Sequence, residues 1–238
     1  MRGILLSAGS GSRLLPLTER VPKCLVELGG RAIIDLQLAA LAQAGVREAV
    51  VIGGYRHEQL AAHLAASPPP LAVELRHNPF WAVASSIGSV WAARDLVDRP
   101  FCLMNGDTVF DADVIADAIA RAAGIDLLVE PIAAPELDDM LVTAAGGRVR
   151  AVAKTLAPQA ATHRSLGVLI APAPGRHYAD ALDSVICAPG GTGAFHHAIV
   201  DRLARDDRVG AIERAAGCWQ EIDRPEDIAR WDAGHGCT

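Results

Sequence analysis

A glycine-rich loop near the beginning of the chain holds the first residues that could do chemistry. A short apolar run ends at Ser7 and opens into Gly9-Ser10-Gly11-Ser12-Arg13, and Pro22-Lys23 follows further along. Glycines let backbone N–H groups approach a phosphate closely, and loop amides can form a nest that binds an anion. Arg13 and Lys23 would neutralise the charge that amides alone cannot. The segment therefore predicts a phosphate-binding loop.

This loop departs from the two best-known phosphate-binding patterns. Position 14 is Leu, so the dinucleotide pattern G-x-G-x-x-G is absent, and no G-K-[S/T] completes a Walker loop. An ordinary strand-to-loop turn would use the same two glycines. Taken alone, the loop leaves two interpretations open: a nucleotide site of another kind, or a plain turn.

Two aspartates that follow predicted strands could hold a divalent cation. Asp107 comes after Asn105-Gly106, and Asp223 follows Trp219-Gln220-Glu221-Ile222. Magnesium prefers hard oxygen ligands and commonly uses one or two carboxylates together with substrate phosphates. Each aspartate also has a structural alternative. Asn-Gly-Asp is typical of turns, and Asp223 with Glu226 three positions later is typical of a helix N-cap.

The order and spacing of these segments resemble the signature of the nucleotidyltransferases that activate sugar phosphates and related phosphoesters. The matching residues are Gly9, Gly11, Arg13, Pro16, Thr18, Pro22 and Lys23, then Asn105-Gly106-Asp107, then Glu221-Ile222-Asp223-Arg224-Pro225-Glu226-Asp227. The resemblance spans nearly the full chain. It is strongest to the small cytidylyltransferases that act on phosphocholine, aminoethylphosphonate or inositol phosphate.

The resemblance implies four catalytic residues: Arg13, Lys23, Asp107 and Asp223. It implies that Asp107 and Asp223 hold Mg²⁺. We expect Lys23 to contact the α-phosphate of a nucleoside triphosphate, and Arg13 to lie over the β- and γ-phosphates, which leave as pyrophosphate. Catalysis of this kind is mostly positioning and electrostatic stabilisation, so no nucleophilic side chain is expected.

Further nucleotide contacts are expected from the loop backbone and from neighbouring strand ends. The predicted nucleotide-binding residues are Ala8, Gly9, Gly11, Ser12, Gly54, Tyr55, Ser85 and Gly106. In the resembling enzymes a Gly-Tyr pair borders the base pocket, and Gly54-Tyr55 holds the matching place. A simple strand-end turn predicts the same pair, and Ser85 could equally cap a helix.

The acceptor of the nucleotide is the least defined part of the site. The predicted acceptor-binding residues are Trp81, Asp138, Lys154, Trp219 and Glu221. Aromatic faces and carboxylates would suit an ammonium group through cation–π attraction. Lys154 could instead bind the phosphate of the acceptor, as a matching lysine does in several relatives, or face solvent. The two tryptophans could also belong to the core.

The elements that must position these residues alternate between strands and helices. Apolar runs predict strands at 3–7, 49–52, 72–75, 101–104, 126–132, 140–143, 148–153, 166–170 and 219–222. Helices are predicted at 33–44, 58–66, 85–96, from 111 or 113 to 123, at 178–186, at 194–205 and from 225. This order is typical of a Rossmann-like α/β fold, with three layers (α/β/α) around a mostly parallel mixed sheet. We expect one domain over residues 1–238.

Composition argues against several function classes. The net charge is −6 with no basic stretch, which argues against a nucleic-acid partner. No signal segment opens the chain, and no apolar run approaches the ~20 residues needed to cross a bilayer, so no membrane partner is expected. The five scattered cysteines suggest a reducing compartment. We expect a cytoplasmic protein, leave homodimer formation open, and expect His196-His197 on a helix surface.

Together, the residues and the resemblance predict a Mg²⁺-dependent nucleotidyltransferase. It would transfer CMP from CTP to a small phosphomonoester or phosphonate, of the phosphocholine, 2-aminoethylphosphonate or inositol phosphate type, and release pyrophosphate. One alternative is a sugar-1-phosphate nucleotidyltransferase that uses UTP or GTP. A second is a non-catalytic regulator that binds nucleotide, although the four intact charged residues argue against it.

Overall fold

The structure is a computed structural model that describes residues 1–136 and 138–234, and in it strands alternate with helices. The strands are β1 Arg2–Ser7, β2 Glu27–Leu28, β3 Arg31–Ala32, β4 Glu48–Gly53, β5 Ala72–His77, β6 Phe101–Asn105, β7 Thr108–Phe110, β8 Ile125–Pro131, β9 Leu141–Ala145, β10 Arg148–Ala153, β11 His163–Ala171, β12 Val209–Glu213 and β13 Trp219–Glu221. The helices are α1 Ile33–Gln43, α2 His57–Ala66, α3 Ser86–Trp91, α4 Ala112–Arg121, α5 His177–Ile186, α6 His197–Ala204 and α7 Pro225–Asp232. None of the described helices is long and apolar enough to cross a membrane.

Nine of the described strands form one mixed sheet. Their order is β5-β4-β1-β6-β11-β8-β12-β10-β9. Strands β5, β4, β1 and β6 are parallel neighbours, and β12 runs parallel to β8. Strands β11 and β10 run antiparallel to the strands beside them. The mostly parallel mixed sheet expected from the sequence is confirmed.

Apolar side chains on both faces of the sheet form the core, because strand side chains alternate between faces. Ile4 of β1 packs on one face with Ile87 of α3 and Tyr178 of α5. Leu5, the next residue, packs on the other face with Leu38 of α1. Helices α3, α5 and α6 cover the first face, and α1, α2 and α4 cover the second. The three-layer arrangement is therefore confirmed.

Two helices differ from their predicted bounds by three residues or more. Helix α3 ends at Trp91 rather than at residue 96. The backbone after it forms tight turns, in which N–H groups donate to the carbonyl three residues earlier. Helix α6 begins at His197 rather than at residue 194. Two backbone carbonyls before it pair with the start of α3 instead: Thr192 O accepts a hydrogen bond from Ser85 N–H at 2.9 Å, and Ala194 O accepts one from Ile87 N–H at 3.4 Å.

Strands β2, β3, β7 and β12 were missed by the sequence analysis, and the first two pair only with each other. Strand β12 lies inside the sheet between β8 and β10, and its apolar run is broken by Gly210. A Cβ atom on Gly210 would lie 1.9 Å from Oδ1 of Asp126, so a larger residue there would displace this carboxylate. Strand β7 pairs with β13 in a separate two-stranded sheet, called here the β7–β13 ribbon.

The described cysteines fall into two groups. Cys24, Cys102 and Cys187 carry free thiols, whereas Cys218 is disulfide-bonded.

Candidate active site

The signature loop (residues 8–23) and Asp107 meet at the carboxyl edge of the sheet, because β1 and β6 are parallel neighbours. Leu6 of β1 is paired with Asn105 of β6. Gly106 N–H donates to Leu6 O at 3.1 Å, and a Cβ atom on Gly106 would lie 2.4 Å from that oxygen. Glycine is thus required where the chain turns to present Asp107 beside the loop.

The signature loop folds back on itself, so that Lys23 lies against Gly11. Gly11 has a φ of 65°, in the left-handed region that favours glycine, and a Cβ atom there would lie 2.8 Å from Cβ of Lys23. Thr18 Oγ1 donates to Gly11 O at 2.8 Å, and Tyr55 Oη donates to Thr18 O at 3.0 Å. The loop is therefore held by its own residues and by the end of β4.

Lys23 bridges the two predicted metal ligands. Its Nζ lies 2.9 Å from Oδ2 of Asp107 and 2.8 Å from Oδ1 of Asp223. Only 11% of its side chain is exposed. Burial by itself lowers the pKa of Lys23, but the two carboxylates outweigh it and raise the pKa above its ordinary value. Lys23 is a fixed positive charge at the site.

Asp223 serves this site rather than the end of a helix. Its Oδ2 accepts a hydrogen bond from Arg13 Nη1. Burial raises the pKa of Asp223, but Lys23 and Arg13 outweigh it and lower the pKa below its usual range. The helix-cap alternative is wrong, because Oδ2 of Asp227 accepts from the N–H groups of Asp223 and Arg224 at 2.9 and 2.8 Å and caps α7.

Three carboxylates, Asp107, Glu221 and Asp223, form an acidic cluster that could hold a metal ion. Each offers an oxygen that lies within 4.8 Å of the others. Desolvation and the charges of Asp107 and Asp223 raise the pKa of Glu221 to about 7. When all three are ionised, their negative charges exceed the positive charges of Lys23 and Arg13 by one. Hard oxygen donors with a negative balance fit Mg²⁺.

A cleft of about 820 Å³ opens over the acidic cluster. Most of the predicted site residues line it: Ala8, Gly9, Arg13, Trp81, Ser85, Gly106, Asp107, Asp138, Lys154, Trp219, Glu221 and Asp223. The others are not among the described lining residues: Gly11, Ser12, Lys23, Gly54 and Tyr55. Sequence positions from all parts of the chain thus converge on one cleft.

Gly54 and Tyr55 contact two residues that line the cleft, Ala8 and Trp81. A Cβ atom on Gly54 would lie 2.5 Å from Cβ of Trp81 and 2.7 Å from Ala8 O. Tyr55 N–H donates to Ala8 O at 3.0 Å, and its ring lies edge-on to Trp81 at 5.3 Å. Trp81 therefore packs against the residues that follow β4, and these in turn contact Ala8 of the signature loop. Ser85 holds the N-cap position of α3 without a side-chain cap hydrogen bond.

The carboxylate of Asp138 lies near three cationic side chains at the cleft. It lies 2.9 Å from Arg224 Nη2, 3.6 Å from Arg13 Nη1 and 3.9 Å from Lys154 Nζ. Lys154 also lies over the ring of Phe195, 5.4 Å from its centre. The side chain of Lys154 thus faces the cleft, beside a carboxylate that already has cationic partners.

The ring of Trp219 is engaged by other side chains. The guanidinium of Arg164 lies over it at 4.9 Å, and the ring stacks with Phe110 at 6.3 Å. Its Nε1 donates to Oε1 of Glu130 at 3.2 Å. The cation–π position on Trp219, considered above for an ammonium acceptor, is therefore taken by Arg164.

Comparison with known proteins identifies the family. Residues 2–136, more than half of the chain, match the family described as nucleotidyl transferase. The chain belongs to this family. The family expected from the signature loop and the two aspartates is thus confirmed.

Curated relatives of this nucleotidyl transferase differ in the base and the acceptor they are named for. The chain is 28% identical to the CMP-5'-(3-aminopropyl)phosphonate synthase of Streptomyces rubellomurinus over 98% of its own length and 38% of that protein. It is 48% identical to the CTP:phosphoglutamine cytidylyltransferase of Campylobacter jejuni over 27% of its length and 25% of that protein. It is 30% identical to the mannose-1-phosphate guanyltransferase of Saccharomyces cerevisiae over 60% of its length and 45% of that protein. The chain therefore spans less than half of each of these relatives.

Solved structures share the fold of this nucleotidyl transferase. The CTP:phosphocholine cytidylyltransferase of Streptococcus pneumoniae has a TM-score of 0.79 at 20% identity, over 98% of both chains. The inositol-1-phosphate CTP transferase of T. maritima has a TM-score of 0.81 at 16% identity, over 100% of this chain and 97% of the other.

Two buried histidines of the nucleotidyl transferase line the cleft, so the expectation of a surface His196-His197 is wrong. His196 is 1% exposed and His197 is 5% exposed. His196 Nε2 lies 2.9 Å from Oδ1 of Asn105, and burial lowers the pKa of His196 to about 4. A sequence signal existed, because His197, Val200 and Ala204 share one helical stripe and all are buried.

Gln37 is a further residue that the sequence analysis missed. It lies fully buried on α1, where its Nε2 donates to Asn105 O and to Thr108 O, each at 2.8 Å. These two carbonyls flank Gly106-Asp107, so Gln37 fixes the turn that carries Asp107. A lone amide on the apolar stripe of a helix is the signal that could have found it.

Proposed function

We propose that the protein is a Mg²⁺-dependent cytidylyltransferase that transfers CMP from CTP to a small phosphomonoester or phosphonate and releases pyrophosphate. The carrying observation is the Lys23 ammonium held between Asp107 and Asp223. The site thereby combines cations that can bind a triphosphate with oxygen donors that can bind a metal. Nucleotide binding alone needs the first set, whereas phosphoryl-group transfer uses both.

The proposed reaction is an in-line displacement at the α-phosphorus. An oxygen of the acceptor phosphate or phosphonate forms a bond to this phosphorus. The bond from the phosphorus to the α–β bridging oxygen breaks, and pyrophosphate leaves with that electron pair. The acceptor oxygen is already anionic near pH 7, so no side chain has to remove a proton from it.

Arg13 and Lys23 divide the charge of the triphosphate between them. Lys23 lies low beside the acidic cluster, where its positive charge stabilises negative charge that develops on the α-phosphate. Arg13 is more exposed, with 46% of its side chain open to solvent, and can exchange Asp223 and Asp138 for the β- and γ-phosphates. The carboxylates keep both cations in place before the nucleotide arrives.

The acidic cluster would hold the metal, with Asp107 and Asp223 as ligands and Glu221 as a third donor. A bound Mg²⁺ supplies Lewis-acid polarisation of phosphate oxygens. In the absence of ligand, the ammonium of Lys23 offsets part of the negative charge of the cluster. The carboxylates can therefore lie close together before a magnesium–nucleotide complex binds.

The choice of CTP and of a small acceptor is supported by the names of two relatives, the aminopropylphosphonate synthase and the phosphoglutamine cytidylyltransferase. The guanyltransferase relative favours one alternative, a sugar-1-phosphate nucleotidyltransferase that uses GTP or UTP. The proposal includes action in the cytoplasm, where nucleoside triphosphates are available, and no nucleic-acid or membrane partner.

A matrix of substrates with pyrophosphate release as the readout tests this proposal. Each of CTP, UTP, GTP and ATP is paired with phosphocholine, 2-aminoethylphosphonate, inositol 1-phosphate and mannose 1-phosphate, with Mg²⁺ or with EDTA. We expect release with CTP and one of the first three acceptors, and none with EDTA. Pyrophosphate release only when mannose 1-phosphate is paired with GTP or UTP supports the alternative. A thermal shift with a nucleotide but no release from any pair indicates a non-catalytic binder.

A further inference from the structure

The β7–β13 ribbon carries the acidic cluster, yet it is a separate sheet beside the nine-stranded one. Asp107 directly precedes β7, Glu221 ends β13, and Ile222 N–H donates to Asp107 O at 2.8 Å. Asp107 is held by the end of β6, but the strand ladder of the main sheet does not reach Glu221 and Asp223. Contacts between the ribbon and the main sheet must place these two carboxylates relative to Lys23.

Glu130, on β8 of the main sheet, makes such contacts with the start of β13. Its Oε1 accepts hydrogen bonds from Nε1 of Trp219, at 3.2 Å, and from Nε of Arg214. Its Oε2 accepts from Nη2 of Arg164 at 2.7 Å. One carboxylate, with 14% of its side chain exposed, thus binds three side chains, and one of them is the first residue of β13.

The two arginines contact β13 and the segment before it, and Trp219 extends these contacts to β7. The guanidinium of Arg164 lies over the Trp219 ring at 4.9 Å. Arg214 Nη1 donates to Gly217 O at 3.2 Å, in the segment that leads into β13. Trp219 in turn stacks on Phe110, its partner residue on β7, at 6.3 Å. A connected set of contacts therefore runs from β8 to both strands.

We propose that Glu130 is a positioning residue that anchors the β7–β13 ribbon through Trp219 and the two arginines, and so sets where Glu221 and Asp223 lie around Lys23. Its effect on turnover rests on the proposed function. Burial raises the pKa of Glu130, but Arg164, Arg214 and Trp219 outweigh it and lower the pKa below the usual range, so the anchor is ionised near neutral pH. Loss of supporting contacts behind metal ligands typically costs about 10- to 100-fold in metal affinity or activity.

Two variants test the anchor with little change of shape. Glu130→Gln removes the charge, and Trp219→Phe keeps a ring but removes the N–H donor. Hydrogen exchange, followed by mass spectrometry without any ligand, reports on peptides that cover 106–111 and 217–223. We expect both variants to speed exchange in these peptides selectively. We also expect kcat for pyrophosphate release to fall about 10- to 100-fold, with the KM of the acceptor within about threefold.

Two control variants separate positioning from a general loss of stability. Glu213→Gln removes a carboxylate of the neighbouring strand β12 that is 63% exposed and pairs with His163 at 3.4 Å; it should change neither readout. Val149→Ala opens the core of the main sheet, and should lower the melting temperature without a selective effect on the ribbon.

The anchor is overturned if Glu130→Gln and Trp219→Phe leave ribbon exchange at the wild-type rate, or raise exchange across the whole chain as Val149→Ala does. Normal ribbon exchange together with a lower kcat would also contradict it. If the wild-type protein turns over no substrate pair, the proposed function fails by that result alone. Ribbon exchange then still decides whether Glu130 is the anchor.

Discussion

Nζ of Lys23 lies 2.8 Å from Oδ1 of Asp223, although 200 positions separate the two residues in the chain. The signature loop provides the ammonium, and the segment after the β7–β13 ribbon provides the carboxylate. Asp107 receives the same ammonium at 2.9 Å. Removing one partner of such a partly buried group leaves an uncompensated charge, which costs more than the pair itself contributes. We therefore expect the contact between Lys23 and Asp223 to affect both the stability of the protein and its activity.

Lys23→Met should reduce pyrophosphate release by about 10²- to 10³-fold, because it removes one preorganised donor to the charge that develops on the α-phosphate. The variant should also be less stable, since Asp107 and Asp223 then repel each other without an ammonium between them. Steady-state kinetics and thermal melts measure both effects. Lys23→Arg should recover stability better than activity, because a guanidinium does not reproduce the point charge of the ammonium. A Lys23→Met rate within twofold of wild type would contradict the role.

Asp223 and Asp227 should have separable effects. Asp227→Ala removes the side-chain cap of α7 and should lower the free energy of unfolding by about 1 kcal/mol in urea titrations. Asp223→Asn should instead abolish most of the turnover. The opposite pattern, a stability loss at Asp223 with turnover retained, would restore the helix-cap interpretation.

Gly106→Ala should destabilise the protein by about 1–3 kcal/mol, because the added Cβ atom would meet a rigid backbone oxygen of β1. Gly124→Ala is the matched control, since no atom lies within 4 Å of a Cβ atom at that position. Chemical denaturation of the two variants compares them directly. Equal stability would show that the turn before Asp107 does not require glycine.

Acid should destabilise the fold through His196. Burial lowers its pKa from 6.5 to about 4, so the unfolded chain binds more protons than the folded chain between these pH values. The free energy of unfolding should therefore fall as pH drops from 6.5 to 4, by at most about 1.4 kcal/mol per pH unit for one histidine. His196→Gln should flatten this slope in pH-dependent melts, whereas His177→Gln, at an exposed position, should not. An unchanged slope in His196→Gln would exclude this source.

The parts of the site that the sequence predicted are those encoded by local patterns. The loop from Gly9 to Lys23 and the strand ends before Asp107 and Asp223 combine apolar runs with turn residues, and their parallel order brings them to one edge. The local sequence could not decide whether Asp223 caps a helix or binds a metal, because an aspartate can do either. Only the neighbouring Lys23 and Arg13 distinguish the two roles.

The parts that escaped prediction depend on contacts between distant segments. Glu130 binds Arg164, Arg214 and Trp219, which lie 34, 84 and 89 positions away, and no spacing rule links such residues. Strand β12 was not predicted because Gly210, which lies against the carboxylate of Asp126, interrupts its short apolar run. The Arg164 guanidinium over Trp219 also changed the interpretation of a ring that the sequence offered to an ammonium acceptor.

The most direct test of nucleotidyl transfer at this site is the rate of pyrophosphate release by the wild type and by Asp107→Asn, measured side by side. Both are assayed with Mg²⁺, saturating CTP and the best acceptor of the substrate matrix, with melting temperatures as the check on folding. The account predicts steady release by the wild type and a loss of about 10²-fold or more in the variant. Equal rates in the two proteins would contradict it.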